Sequence, residues 1–336
     1  MAVSVPLIDR SLDRAKLRRA PGLPGQIHLS VTDRCFLPCL HCDIWKNDAT
    51  DLPGQVWIET LDRLAEWIGP ASVNFVGGEP LLRKDLGQLM GHAVKLGNTV
   101  TFNTNAWLLT EKRAAEVADA GVSIAYISMD GFSAETVDFS RGREGSRQKC
   151  LDAWDLLDQH ASPRVVISCI LNENSAPEIP QLLDLVKRRN AQLVVHPLYQ
   201  TFGNAIVYDK HWYKASPLWP RDLTAINDAL DLLTRERFRG GPVCNSVGQL
   251  QSFKGYYRAP GEFNGLTCKA GHSDLAFDPQ GNIRLCYFLE PVATVFDWAP
   301  LAAIWDLPKT LRRRWEVSRC ERSCNLLNCN FDRNDL

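Results

Sequence analysis

The feature that most restricts the fold is a strand–helix rhythm repeated six times between residues 26 and 237. Residues 26–31 alternate apolar and polar side chains with the period of a strand. Val56, Ile58, Leu61, Leu64, Ala65 and Ile68 then recur at helical spacing. The same pair of patterns returns as strand 72–76 with helix 84–96, strand 98–102 with helix 110–120, and strand 122–128 with helix 146–160. Two further units follow, strand 164–170 with helix 177–189, and strand 192–196 with, after a long loop, helix 221–237. Thr110 and Asp222 stand where N-caps are expected, and Gly97 and Gly121 where glycines stop helices. Six such units in series require an α/β fold with a parallel sheet and right-handed crossovers, either a partial barrel or an open doubly wound sheet.

From about Gly240 the rhythm breaks. Gly240, Gly241 and Pro242 punctuate the chain, and a domain boundary is expected there, giving an extension at 1–25, a barrel at 26–239 and a small α+β domain at 240–336. Within the tail, apolar segments 274–278 and 283–289 flank Pro279, Gln280, Gly281 and Asn282, the signature of a hairpin. Short helices are expected at 301–305 and 311–319.

Charge and hydropathy narrow the partners. The net charge is -1, and the basic runs at 187–189 and 312–314 lie among Leu and Trp in helical contexts, so they read as solvated helix faces rather than a nucleic-acid footprint. No stretch approaches the roughly 18 uncharged apolar residues of a membrane span. Asp9, Arg10, Asp13 and Arg14 stand where a signal peptide needs an apolar core. A cytoplasmic protein with neither nucleic-acid nor membrane partners is expected. In that compartment eleven cysteines point to metal binding or catalysis rather than disulfides.

Cys35, Cys39 and Cys42 place three thiols within eight residues, just after the first strand. Three thiolates without a fourth suit a four-iron four-sulfur cluster with one iron open to an exogenous ligand. A zinc site would need His41 as fourth ligand, and its adjacency to Cys42 makes tetrahedral ligation awkward. One βα unit later comes Gly77-Gly78-Glu79-Pro80, where glycines would let backbone approach a ligand and a carboxylate could pair with an ammonium.

Cys-x3-Cys-x2-Cys in the first βα loop, followed by Gly-Gly-Glu-Pro after the second strand, resembles the radical S-adenosylmethionine (SAM) superfamily. The resemblance implies a partial (β/α)6 TIM-like barrel. It also implies a 4Fe-4S cluster on Cys35, Cys39 and Cys42 that reduces SAM to methionine and a 5′-deoxyadenosyl radical, with flavodoxin or ferredoxin as electron donor. Gly77, Gly78, Glu79 and Pro80 would then receive the SAM methionine group, and Ser128 and Asn172 would meet its ribose and carboxylate, with Asn105 and Asp130 at neighbouring strand ends. His41 stands where most relatives place an aromatic residue near the adenine. His196, Tyr199 and Gln200 at the sixth strand end are candidates for substrate contact. Arg141 and Arg143 are expected as exposed loop arginines able to meet an anionic substrate or the SAM carboxylate.

In the tail, Cys268, Cys286, Cys320, Cys324 and Cys329 surround the hairpin and the last helix, and on spacing alone a zinc ribbon remains an alternative. Their order resembles the SPASM and twitch extensions of radical SAM enzymes, which implies an auxiliary 4Fe-4S cluster on Cys268, Cys286 and two of the last three, with Cys244 as a spare candidate. Cys150 and Cys169 fall within a helix and a strand and read as buried thiols. Because only about 25 residues precede the first strand, a small-molecule substrate is expected ahead of a ribosomal peptide or protein side chain. A non-catalytic zinc or iron–sulfur protein is the alternative of another class.

Overall fold

The computed structural model describes residues 22–47, 50–200, 209–262, 268–322 and 324; Cys329 and most of the extension at 1–25 lie outside them. Six parallel strands form the barrel wall: β1 (Gln26–Thr32), β2 (Ser72–Gly77), β3 (Thr99–Thr104), β4 (Ile124–Ser128), β5 (Arg164–Leu171) and β6 (Gln192–Pro197). The helices between them are α1 (Gly54–Ile68), α2 (Leu86–Lys95), α3 (Glu111–Asp119), α4 (Ala134–Arg141), α5 (Ser146–Leu157) and α6 (Ile179–Arg188), and α7 (Leu223–Phe238) follows β6.

Periodicity accounts for these elements. Ile27, Leu29 and Val31 of β1 are fully buried at every second position. Ile179, Leu182, Leu183 and Val186 of α6 form the stripe at i, i+3, i+4 and i+7 that covers the sheet. Each such side chain contributes about 1.5–3 kcal/mol through burial. Thr110 and Asp222 cap α3 and α7 by accepting from Arg113 N and Thr224 N. Gly97 and Gly121 take φ of +86° and +74°, as expected of helix stops.

Two helices escape the sequence reading. Helix α4 was expected as loop because its eight residues are mostly polar, yet Ser133 caps it by accepting from Thr136 N and left-handed Gly142 ends it. Arg141 is therefore not an exposed loop arginine; it closes a helix and is 7% exposed. In the tail, α8 (Val247–Arg258) is capped by Ser246.

The tail flanks the barrel sheet on both sides. Beside β6, Leu193 N donates to Pro242 O, Cys244 N donates to Leu193 O, and the Asn245 amide both accepts from Val195 N and donates to Val195 O. Asn245 thus completes a sheet edge that would otherwise present unpaired backbone. On the other side β7 (Asp274–Phe277) pairs with β1 in parallel, Gln26 opposite Asp274. The hairpin β7–β8 (Asn282–Arg284) and strand β9 (Ala293–Thr294) extend the sheet to the order β6-β5-β4-β3-β2-β1-β7-β8-β9 among the described residues. The second hairpin arm ends at Arg284 rather than 289, because the chain turns away at Cys286. Helices α9 (Leu301–Trp305) and α10 (Pro308–Ser318) complete the tail. Among the described residues no helix is long and apolar enough to cross a membrane.

Candidate active site

Parallel barrels gather chemistry at the C-terminal ends of their strands, and the first cysteine loop leaves β1 at that end. Both neighbouring loops hold it. From β2, Gly78 N donates to Thr32 O (2.7 Å) and Glu79 N to Arg34 O (2.8 Å). From α4, Ser140 O accepts from Leu40 N (3.0 Å). A Cβ on Gly77 would lie 2.1 Å from Thr32 O, and one on Gly78 2.2 Å from Arg34 O. The close approach that these glycines permit is thus to the cysteine loop, where the sequence reading had placed a ligand.

Arg83 was missed by the sequence reading. It is 4% exposed, donates to Val31 O and Leu52 O, and forks onto Asp85 at 2.9 and 2.7 Å, tying the end of β1 to the loop after it. Only its position three residues beyond Pro80 could have signalled this.

Cys35, Cys39 and Cys42 are close enough for their thiolates to repel one another. Burial pushes all three thiols up, Cys42 to about 11. Asn105 Nδ2 reaches Cys35 Sγ at 3.8 Å. Among the described residues no three His, Cys, Asp or Glu side chains converge on a single ion. A four-iron cluster instead gives each thiolate its own iron. The donor set therefore fits an iron–sulfur cluster better than a mononuclear metal.

Glu79 is fully buried, and burial pushes its carboxyl up to about 7 against three donors: Leu81 N, Thr104 Oγ1 and Asn105 N. It joins the ends of β2 and β3, and Pro80 beside it starts a single 3-10 turn. Asn172 is also fully buried; its amide accepts from Asn174 N and Ser175 N and donates to Ile170 O, so it shapes the loop after β5. Ser128 closes β4, and its carbonyl accepts from the buried Cys150 thiol.

Between β4 and the cysteine loop lies a buried charge cluster. Asp130, fully buried, takes Arg141 Nη2 at 2.9 Å, Ser140 Oγ at 2.8 Å and Ile170 N at 2.9 Å, with His41 Nδ1 at 3.8 Å. Burial opposes the charge on Asp130, but Arg141, His41 and the two donors outweigh it and hold the carboxyl below its usual range. Burial lowers His41 and His196 to about 4, so both are neutral imidazoles at neutral pH. His41 Nδ1 and Arg141 Nε are buried with no hydrogen-bond partner among the described residues. Such orphaned donors and acceptors mark a place where a polar group is received.

At the sixth strand end, Tyr199 stacks near Tyr256, and Gln200 Oε1 accepts from Asp209 N. Arg143 lies over Trp107 at 3.9 Å and Phe36 at 5.6 Å, packing against the cysteine loop rather than facing solvent alone.

In the tail, burial pushes the Cys324 thiol far up, reinforced by the neighbouring thiols of Cys286, Cys320 and Cys268. The fold thus brings together four cysteines that span 57 residues of sequence, 268 to 324. Gly271 packs on Leu285 and its carbonyl accepts from Arg314 Nε, which lies over Trp305. Cys150 and Cys169 are buried, and no disulfide joins the described cysteines.

The sequence model of the radical SAM superfamily matches residues 29–186. The chain is 27% identical over 315 residues to a PqqA peptide cyclase from Rhodopseudomonas palustris, covering 90% of this chain and 79% of that protein. It is 30% identical over 186 residues to an Fe-coproporphyrin III synthase from Methanosarcina barkeri, covering 53% and 45%. Its fold is similar to that of Streptococcus suis SuiB bound to the precursor peptide SuiA, with a TM-score of 0.66 at 15% identity, covering 87% of this chain and 67% of that one.

Proposed function

We propose that the chain, whose residues 29–186 match the radical SAM superfamily, is a peptide-modifying radical SAM enzyme whose substrate is a ribosomally made peptide or a protein side chain. The observation that carries this reading is the alignment with a peptide cyclase, which extends over 90% of the chain and so reaches beyond the barrel into the cysteine-rich tail. It moves the substrate away from the small molecule favoured by the sequence reading, whose ground was the shortness of the segment before β1.

Cys35, Cys39 and Cys42 would hold the 4Fe-4S cluster. Cys268, Cys286, Cys320 and Cys324 would hold an auxiliary one. When bound, the cluster and SAM supply a 5′-deoxyadenosyl radical that takes hydrogen from an unactivated C–H bond. The protein's part is positioning. Gly77 and Gly78 press the β2 loop onto the cysteine loop, and the backbone around Glu79 and Pro80 would receive SAM there. Asn105 is held by Glu79 through its backbone N–H and turns its amide toward Cys35. Ser128 and the buried His41 offer polar groups to the rest of SAM. Glu79 and Asn172 act one layer back, fixing the strand ends. His196, Tyr199 and Gln200 would face the substrate. An electron donor such as flavodoxin or ferredoxin would serve the cluster in the cytoplasm.

The test is anaerobic. Reconstituted protein, reduced with dithionite in the presence of SAM, is incubated with candidate precursor peptides and with tetrapyrrole or sugar-like small molecules. Peptide-stimulated release of 5′-deoxyadenosine, with a peptide lighter by two hydrogen atoms, supports the proposal. Stimulation by small molecules alone replaces it with the other substrate class. A protein that binds zinc instead of iron defeats the enzymatic reading altogether.

A further inference from the structure

Arg141 is placed against the cysteine loop by backbone alone. It occupies the last turn of α4, whose end is fixed by left-handed Gly142; a Cβ there would stand 2.4 Å from Pro38 O. The preceding residue, Ser140, accepts from Leu40 N. Residue 141 is thus held opposite residues 38–40 whatever its side chain does. That side chain is an arginine, 7% exposed, whose guanidinium pairs with Asp130 at 2.9 Å, leaves its buried Nε without a partner among the described residues, and lies close enough to Cys39 to favour the thiolate. Asp130 is itself immobile, since Ile170 N holds one oxygen and Ser140 Oγ the other.

A buried arginine is costly unless paired, and one counter-charge suffices for stability. The additional contact with Cys39 is therefore not explained by the ion pair. Hydrogen bonds and positive charge at a ligating sulfur change the reduction potential of an iron–sulfur cluster, because the reduced cluster carries one more negative charge and gains more from them. We propose that Arg141 is a positioning residue that raises the reduction potential of the cluster on Cys35, Cys39 and Cys42 through its contact with Cys39, and that Asp130 both orients it and offsets part of its charge. The inference rests on the cysteine assignment made above and extends it to the one-electron reduction of the oxidised cluster. The electron comes from a low-potential donor, and Arg141 stays protonated throughout.

The two partners carry opposite charge, so their removal acts with opposite sign. In an EPR-monitored redox titration of the reconstituted full chain, the signal that responds to added SAM identifies this cluster. Arg141→Gln is expected to lower its reduced-to-oxidised ratio at a fixed potential about tenfold, 59 mV for one electron. Arg141→Lys keeps a charge near Asp130 but withdraws it from Cys39, and should shift the ratio the same way by less. Asp130→Asn should shift it the other way.

Equal potentials in parent and variants at full iron content would overturn the proposal, as would shifts of one sign throughout. If Arg141→Gln fails to hold iron, the opposition between Arg141→Lys and Asp130→Asn still decides. Loss of the cluster from Arg141→Lys as well would make Arg141 a purely structural residue and overturn the proposal. A parent that binds no iron at Cys35, Cys39 and Cys42, with or without Arg141, would instead refute the underlying assignment.

Discussion

The two cysteine groups are built on opposite principles. The loop carrying Cys35, Cys39 and Cys42 is held by protein: backbone bonds reach it from Gly78 and Glu79 after β2 and from Ser140 in α4, and the Asp130–Arg141 pair lies close to Cys39. The group of Cys268, Cys286, Cys320 and Cys324 is drawn from a loop, a hairpin end and the end of a helix, which side chains rather than a backbone scaffold tie together: Arg314 donates to Gly271 O, Arg313 to Glu290 O, and Arg322 lies over Phe288. A prebuilt loop can leave one iron free for chemistry without losing its shape. A site assembled from distant segments is instead closed by its metal, as binding free energy becomes folding free energy.

The largest effect expected from this contrast is on activity. Replacing Cys35, Cys39 and Cys42 together by Ala should abolish 5′-deoxyadenosine formation while shifting the thermal midpoint by no more than about 2–4 °C, the equivalent of about 1 kcal/mol. The check is product chromatography alongside calorimetry. Global unfolding of that variant would break the comparison, since it would make the first site metal-dependent too.

The converse is expected for the tail. In Cys286→Ser/Cys324→Ser, auxiliary iron is lost and amide exchange in β8 and α10 should accelerate about a hundredfold, near 3 kcal/mol, while β1–β6 keep their protection. Hydrogen exchange with mass spectrometry reads both regions in one experiment. Unchanged protection in the tail would show that Gly271, Arg314 and Trp305 suffice to hold it.

A smaller effect isolates the backbone scaffold. Gly78→Ala places a Cβ against Arg34 O, an acceptor that cannot move without moving Cys35, so a loss of about 2–3 kcal/mol is expected together with weaker SAM binding. Denaturant midpoints and equilibrium SAM binding report the two consequences separately. Full stability and full SAM affinity would mean that the loop is less tightly held than its hydrogen bonds imply.

This contrast also explains what was legible in the sequence. Local rules carried the strand–helix rhythm, the caps Thr110 and Asp222, the glycine stops and the Cys35–Cys42 motif, because each is a property of neighbouring residues. Arg141 was misplaced because α4 is short and polar, and only its caps, Ser133 and Gly142, betray it. Gly77 and Gly78 were recognised as demanding close approach, but what approaches them is the backbone of Thr32 and Arg34, at and just beyond the end of β1, which no local pattern encodes. Asn245 standing in for a strand beside Val195, and Cys268 meeting Cys324, are tertiary facts of the same kind.

The last prediction concerns acid. His196 at the barrel mouth is half-buried and neutral, desolvation lowering its folded pKa from 6.5 to about 4. Below pH 6.5 the unfolded chain takes up a proton at this site that the folded chain refuses until about pH 4. Stability is therefore intact above 6.5 and declines as pH falls through that window, by up to about 3 kcal/mol for this group. Glu79 works in the opposite sense: with its folded pKa raised to about 7, its contribution is complete below 4.5 and is lost as pH rises toward 7. The parent's pH profile mixes the two, so the informative quantity is the difference between parent and His196→Gln, which cannot charge. Because the two contributions oppose each other, urea midpoints at pH 7 and pH 4.5 should lie close together for the parent, whereas the variant, freed of the His196 penalty, should gain stability at pH 4.5. Parallel behaviour of the two proteins would mean that water reaches His196 in the folded state, and the sixth strand end would then be an open face of the barrel mouth instead of a sealed one.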